Sequence, residues 1–301
     1  MDHEYASGKQ KLLGHLAGLS FALLIAGSFS VGDLAVEHFG PAALNAVRFA
    51  IAVLILLAVN FALFKRFPPW PVQPWRFIIF GGLMATYFIL MFVALSISTP
   101  VSTGAVFTLI PLMSAGFGWL FLRQTTGPIV IISLLVAAAG AIWVIFRGNL
   151  DAILSLRIGM GEAIFVVGCA CHAAVAPLVK VFNRGESGAY FTLCSVTASA
   201  IWIALFGIPE LLNTDFAALP SIVWIAIAYL AIFTTAGTFF LVQFASMRLP
   251  SSKVLSYGYL TPAAVIVIEG TIGHGWVSWS VMAGAIITAT ALLVMALAPD
   301  G

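Results

Sequence analysis

Cys169, Cys171 and His172 fall within four residues, in the run CACHAAVAP. Two thiols and an imidazole invite a metal reading, but residues two apart on a helix face different sides, so the three groups do not converge. What remains is an imidazole in the middle of an apolar stretch. An ionisable side chain at membrane depth is costly and is a functional candidate by default. His172 is therefore read as a contact for substrate or a carrier of a proton. Arg48 lies inside another apolar run. It reads as a structural intramembrane charge, paired with an acidic residue or with helix carbonyls. Pro111 in VFTLIPLMSA and Pro262 in YLTPAAVIVI act on the backbone instead. Each removes an amide donor and crowds the preceding turn. Their place at the centre of two apolar runs, 151 residues apart, makes them candidate hinges. The chain carries no GxxxxGK[ST] loop, no HExxH and no GxSxG, so no ATP site, zinc hydrolase or nucleophile elbow is expected. No enzyme activity, cofactor or metal is expected. Three cysteines, all in apolar segments, argue against a disulfide framework.

The elements that would position these residues are membrane spans. Of 301 residues, 62% are hydrophobic and 8% charged; a soluble domain carries about 25% charged residues. No water-facing core could hide so much apolar surface. A hydrocarbon layer of roughly 30 Å needs about 20 helical residues. Polar, Gly and Pro breaks divide the chain into ten such stretches, near 12–34, 41–64, 75–97, 101–122, 128–146, 159–182, 188–207, 220–245, 251–271 and 277–298. The N-terminal stretch reads as a first helix that stays, since no small-residue cleavage site follows it. With the N-terminus cytoplasmic, Lys9, Lys11, Lys65, Arg66, Arg76, Arg123, Lys180, Arg184, Arg248 and Lys253 share one side, against Arg147 and Arg157 on the other. That bias places both termini in the cytoplasm.

Spans 1–5 and 6–10 divide the chain into halves, 1–150 and 151–301. An odd number of spans per half inverts the second relative to the first. Each half has a short break (Ser98-Thr99-Pro100; Leu249-Pro250-Ser251), then a span with a central proline, then a span rich in small residues (VAAAGA, 136–141; AGAIITAT, 283–290). Inverted repeats mark secondary transporters with a midplane site. The small-residue faces suit close helix contact, within a monomer or in a homodimer.

Ten spans, short loops, Arg48 in the second span and PLMSAGFGWLFLR in the fourth resemble the drug/metabolite transporter superfamily, and within it the EamA-like family and its YddG-type amino-acid exporters. That family often has a Gly-Glu pair about a dozen residues after the span-4 and span-9 prolines; here Arg123 and Gly273-His274 stand instead. The resemblance implies an all-α integral membrane fold with a central cavity lined by spans 1, 3, 4, 6, 8 and 9. Carried onto this sequence, it makes Tyr87, Phe107, His172, Phe239, Gln243 and Tyr257 the candidate substrate-binding residues. It implies export of small organic solutes, most of all amino acids, aromatic or other neutral ones, across a bacterial-type cytoplasmic membrane by alternating access. The rivals are a superfamily transporter of another metabolite, drug or nucleotide-sugar, and, more remotely, a channel or a membrane-embedded enzyme. The expected partners are a small-molecule substrate and the lipid bilayer, with no nucleic acid.

Overall fold

The computed structural model describes residues 6–36, 38–98, 106–155, 159–271 and 276–299. Thr99, Pro100, Arg157, Gly273 and His274 lie outside them. The described residues are helical with no strand, as backbone in lipid must bond within its own segment. In the first half α1 is Gly8–Val36, α2 Pro41–Phe64, α3 Trp75–Ile97, α4 Ile110–Leu122 and α5 Pro128–Ile145. A short α6, Leu150–Leu154, is capped by Asn149, whose side-chain oxygen accepts from the Ala152 N–H at 2.9 Å. In the second half α7 is Met160–Ala173, α8 Val175–Phe182, α9 Gly188–Leu212 and α10 Ser221–Tyr229. A π-helical stretch, Leu230–Gly237, joins α10 to α11, Thr238–Ser246. α12, Ser251–Val254, runs into a 3₁₀ stretch, Leu255–Leu260, then α13, Thr261–Thr271, and α14, Trp279–Leu297.

Seven helices or contiguous helix pairs among the described residues are long and apolar enough to cross a bilayer, and 75–91 and 110–122 are shorter apolar helices. Their outer faces carry Leu54, Ile132, Leu205 and Leu293, each at least 60% exposed. Such side chains need a hydrocarbon solvent, so the chain is a multi-pass membrane protein. Lys65 ends α2 and Arg123 ends α4, each in the left-handed conformation. Their cations stand at the negative helix ends.

The packing pairs run between halves. α2 packs on α9, α5 on α14, α3 on α7 and α9, α1 on α11 and α13, and α4 on α7 and α8. The α5–α14 contact depends on small residues. A Cβ at Gly140 would stand 2.9 Å from the Gly284 carbonyl oxygen, closer than real Cβ atoms come.

The two prolines lie elsewhere in their helices than the sequence suggests. Pro111 is the second residue of α4 and Pro262 the second of α13. Thr108 and Leu109 form a turn before the first, with the Leu109 N–H donating to the Val106 carbonyl at 3.0 Å; the 3₁₀ stretch precedes the second. Neither proline interrupts a continuous α-helix. Each starts one, where a missing N–H costs nothing and the fixed φ is already helical.

Candidate substrate site

His172 stands in the last turn of α7, two residues before the turn at Ala174 that leads into α8. Pro177 explains that turn, because it cannot donate to Ala173. The Tyr87 ring of α3 lies 4.5 Å from the imidazole, centroid to centroid, and Phe107 lies 6.4 Å away. Phe165 stacks on Tyr87 at 6.1 Å. The imidazole is half-buried, and its Nδ1 has no hydrogen-bond partner. Three of the six predicted residues thus form one aromatic cluster around an unengaged ring nitrogen. Phe107 stands just before the turn at Thr108 and Leu109 that precedes α4. It also packs towards the break before α13, since a Cβ at Gly258 would sit 3.5 Å from its ring.

A second aromatic group adjoins the first. Phe88 lies 5.0 Å from Tyr87 and edge-on to Phe49 at 5.3 Å; Phe49 in turn meets Phe239 at 5.8 Å. Arg48 is held here by rings. Its guanidinium carbon is 4.9 Å from the Phe88 centroid and 5.4 Å from that of Phe49, within cation–π range. Its Nε has no hydrogen-bond partner. The acidic or carbonyl partner expected for Arg48 is not found among the described residues; π faces stand in its place.

Gln243 and Tyr257 belong to another layer. Gln243 is buried, with its side-chain oxygen against Gly188 at the start of α9. Tyr257 hydrogen-bonds through its hydroxyl to His15 Nδ1 at 2.7 Å. Its ring covers Gly18, where a Cβ would come within 2.3 Å, so α1 depends on glycine there.

The EamA-like transporter family matches residues 12–146. By that match the first half is similar to the EamA-like transporter family. The chain is also 23% identical over 257 residues to the uncharacterized transporter YyaM of Bacillus subtilis (strain 168), covering 85% of this chain and 84% of that one. A protein of known crystal structure shares the fold at a TM-score of 0.75 and 19% identity, covering 95% of this chain and 96% of the other. A transporter of the drug/metabolite superfamily is the coarse identity these likenesses give.

One end of the bundle is tied by polar bonds between the halves. Arg76 is fully buried and donates to the Phe182 carbonyl, to the Val72 carbonyl at 2.6 Å and to Glu186 Oε1 at 2.6 Å. Burial works against the Glu186 carboxylate, but donation from Arg76 and from the Arg184 N–H holds its pKa below the ordinary value. The Ser251 N–H donates to Gln124 Oε1 at 3.1 Å, and the Ser114 hydroxyl donates to the Ser251 carbonyl at 3.1 Å. Arg248 Nε donates to Gln10 at 3.0 Å, and the Tyr190 hydroxyl to the Pro69 carbonyl at 2.9 Å. The His15–Tyr257 bond belongs to the same set. Reading the sequence missed this latch, because Arg76 and Glu186 are 110 residues apart and each looks like an ordinary loop charge. It also missed the π-helical stretch, where the Thr234 and Thr238 hydroxyls bond back to the Leu230 and Thr234 carbonyls at 2.9 and 2.8 Å. Wide turns of this kind occur often at functional sites.

Proposed function

We propose that this protein is a secondary transporter that exports small organic solutes, in the first place neutral and aromatic amino acids, across a bacterial-type cytoplasmic membrane by alternating access. The observation that carries this reading is the cluster of His172, Tyr87 and Phe107. It pairs one unengaged ring nitrogen with apolar aromatic walls, the composition that suits a solute with a polar head and an apolar side chain. It also adjoins the two proline-started helices. With no phosphate-binding loop in the sequence, gradients of solute or ions drive the cycle.

The finer architecture is ten spans in two inverted halves, 1–150 and 151–301, with both termini cytoplasmic. The packing supports it. Under exchange of the halves α2–α9 and α5–α14 map onto themselves, while α3–α7 exchanges with α1–α11. The latch of Arg76, Gln124 and His15 then closes the cytoplasmic end, and solute leaves from the other. Opening requires these bonds to part and the helices to move at the breaks before α4 and α13, beside Pro111 and Pro262.

The test is uptake of a labelled amino-acid panel into liposomes holding the purified protein, with and without an imposed pH gradient. Saturable uptake of at least one neutral or aromatic amino acid, lowered at least tenfold by His172→Ala, is the expected result. No uptake of any amino acid removes the substrate class, and uptake that ignores the pH gradient removes His172 as a proton carrier.

A further inference from the structure

The guanidinium of Arg48 is a charge within the bundle that has no counter-charge beside it among the described residues. Its nitrogens differ. Nε is sealed from water and has no partner. The residue as a whole is only half-buried. No hydrogen bond from either terminal nitrogen is found among the described residues, and neither is sealed as Nε is. The far end of the fork is therefore the part a solute can reach. Tyr87 carries a second open donor. Its ring is 6% exposed, yet its hydroxyl is not sealed and has no hydrogen bond among the described residues. It interacts electrostatically with Arg48. Phe88 meets both, 5.0 Å from the Tyr87 ring and 4.9 Å from the guanidinium carbon. Polar groups set inside a protein are normally partnered, charged ones above all. Two neighbouring donors that are open and unpartnered point to an acceptor that arrives from outside.

We propose that Arg48 and the Tyr87 hydroxyl receive the carboxylate of an aromatic solute, and that this carboxylate, not an amino group, is what the site selects. Aromatic acids without an amino group, of the phenylpropanoate type, are then ligands too. The inference rests on the transport reading of the adjoining cluster and narrows its substrate class. A guanidinium can only donate, so the missing group is an acceptor. A carboxylate is the anion whose two oxygens match the fork. One positive charge suits one carboxylate, whereas the diphosphate of a nucleotide-sugar brings two negative charges. The rings of Phe49, Phe88 and Tyr87 around the charge give a flat apolar surface to an aromatic body.

The experiment uses the purified full chain in nanodiscs of zwitterionic lipid, read by fluorine NMR against empty nanodiscs. Three probes share one ring: 4-fluorophenylalanine, 3-(4-fluorophenyl)propanoate, which lacks the amino group, and 4-fluorophenethylamine, which lacks the carboxylate. The expected result is saturable binding of the two carboxylates within about fivefold of each other, with the amine at least about tenfold weaker, the worth of one hydrogen bond to a charged group. Arg48→Met should weaken both carboxylates at least about tenfold and leave the amine as it was. Tyr87→Phe, which keeps the ring, should weaken the carboxylates about tenfold. An amine that binds the unaltered protein as well as the propanoate does, or no binding of the propanoate, overturns the proposal without relying on any variant. A folded Arg48→Met protein that holds the propanoate as tightly as before overturns it as well. These are binding measurements, so they separate from the liposome assay. Amino-acid uptake with no preference for the carboxylate removes this proposal and leaves transport standing, and carboxylate-selective binding with no uptake does the reverse.

Discussion

Arg76 and Arg48 are both guanidinium groups set into an apolar bundle, and their surroundings differ. Arg76 has three carbonyls and a carboxylate within reach, one of the carbonyls being that of Gln73 at 3.4 Å. Arg48 has two phenylalanine rings, and its Nε lacks a partner. A buried charge whose partners are fixed makes rigid structure, because removing one member strands the other in low dielectric. A charge held only by π faces is less committed, since a ring face is non-directional and loses little when the cation shifts. The first arginine marks an end of the bundle that is bolted across the halves. The second lies beside the aromatic cluster, where the walls are rings and few polar bonds fix the geometry.

The largest expected effect is on the bolted end. Arg76→Met strands Glu186, whose side chain is 15% exposed, and should destabilise the protein by about 3–5 kcal/mol. Thermal unfolding in detergent measures it. The same variant should speed maleimide labelling of a reporter cysteine at Ser251, which sits inside the latch at 1% exposure. Unchanged stability and unchanged labelling would erase the contrast between the arginines.

Next comes the pH response of that end. The folded protein holds Glu186 below its ordinary value of 4.5. A depressed carboxyl contributes stability that is complete above the unfolded value and is lost as pH falls through the folded one. The latch should therefore be indifferent to pH near neutrality and loosen below about 4.5, with faster labelling at Ser251→Cys in acid. Glu186→Gln should flatten that dependence. A labelling rate that stays flat as the pH falls below that value would remove Glu186 from the latch.

A moderate effect is expected where the two regions meet, at the helix breaks. Pro111→Ala and Pro262→Ala restore an N–H at the second residue of α4 and α13. That N–H can bond one turn back and let the helix extend across the break. Stability should change by less than about 1 kcal/mol, while transport slows several-fold. Loss of stability with normal transport would make the prolines packing devices only.

What the sequence revealed follows the range of each signal. Apolar runs, breaks and the lysine–arginine bias are local or additive, so α2, α3 and α5 match their expected bounds within a residue. The pairing of His172 with Tyr87 and Phe107 was accessible because family resemblance supplied the neighbours that spacing alone cannot. Gln243 and Tyr257 carried the same resemblance but lie in the latch layer, since the turn at which a helix faces a cavity depends on where its backbone departs from α geometry. The 3₁₀ stretch before Pro262 and the π-helical stretch before Gln243 shift those registers, and no residue type announces either. Arg76 and Glu186 gave no warning because their meeting is purely tertiary.

The smallest effect is the one that decides the comparison. Arg48→Met removes a charge whose Nε has no hydrogen-bond partner and places a flexible apolar chain against Phe49 and Phe88. Replacing a buried charge with a packed apolar side chain of similar volume is often neutral or stabilising. The expected change in unfolding free energy is therefore within about 1 kcal/mol, small beside that of Arg76→Met. A comparable loss in the two variants would mean that the rings hold Arg48 as firmly as carbonyls hold Arg76. A stable Arg48→Met protein that no longer moves solute would mean that the charge serves the passage. A structural anchor and a transport residue would then be separated by one substitution read in two assays.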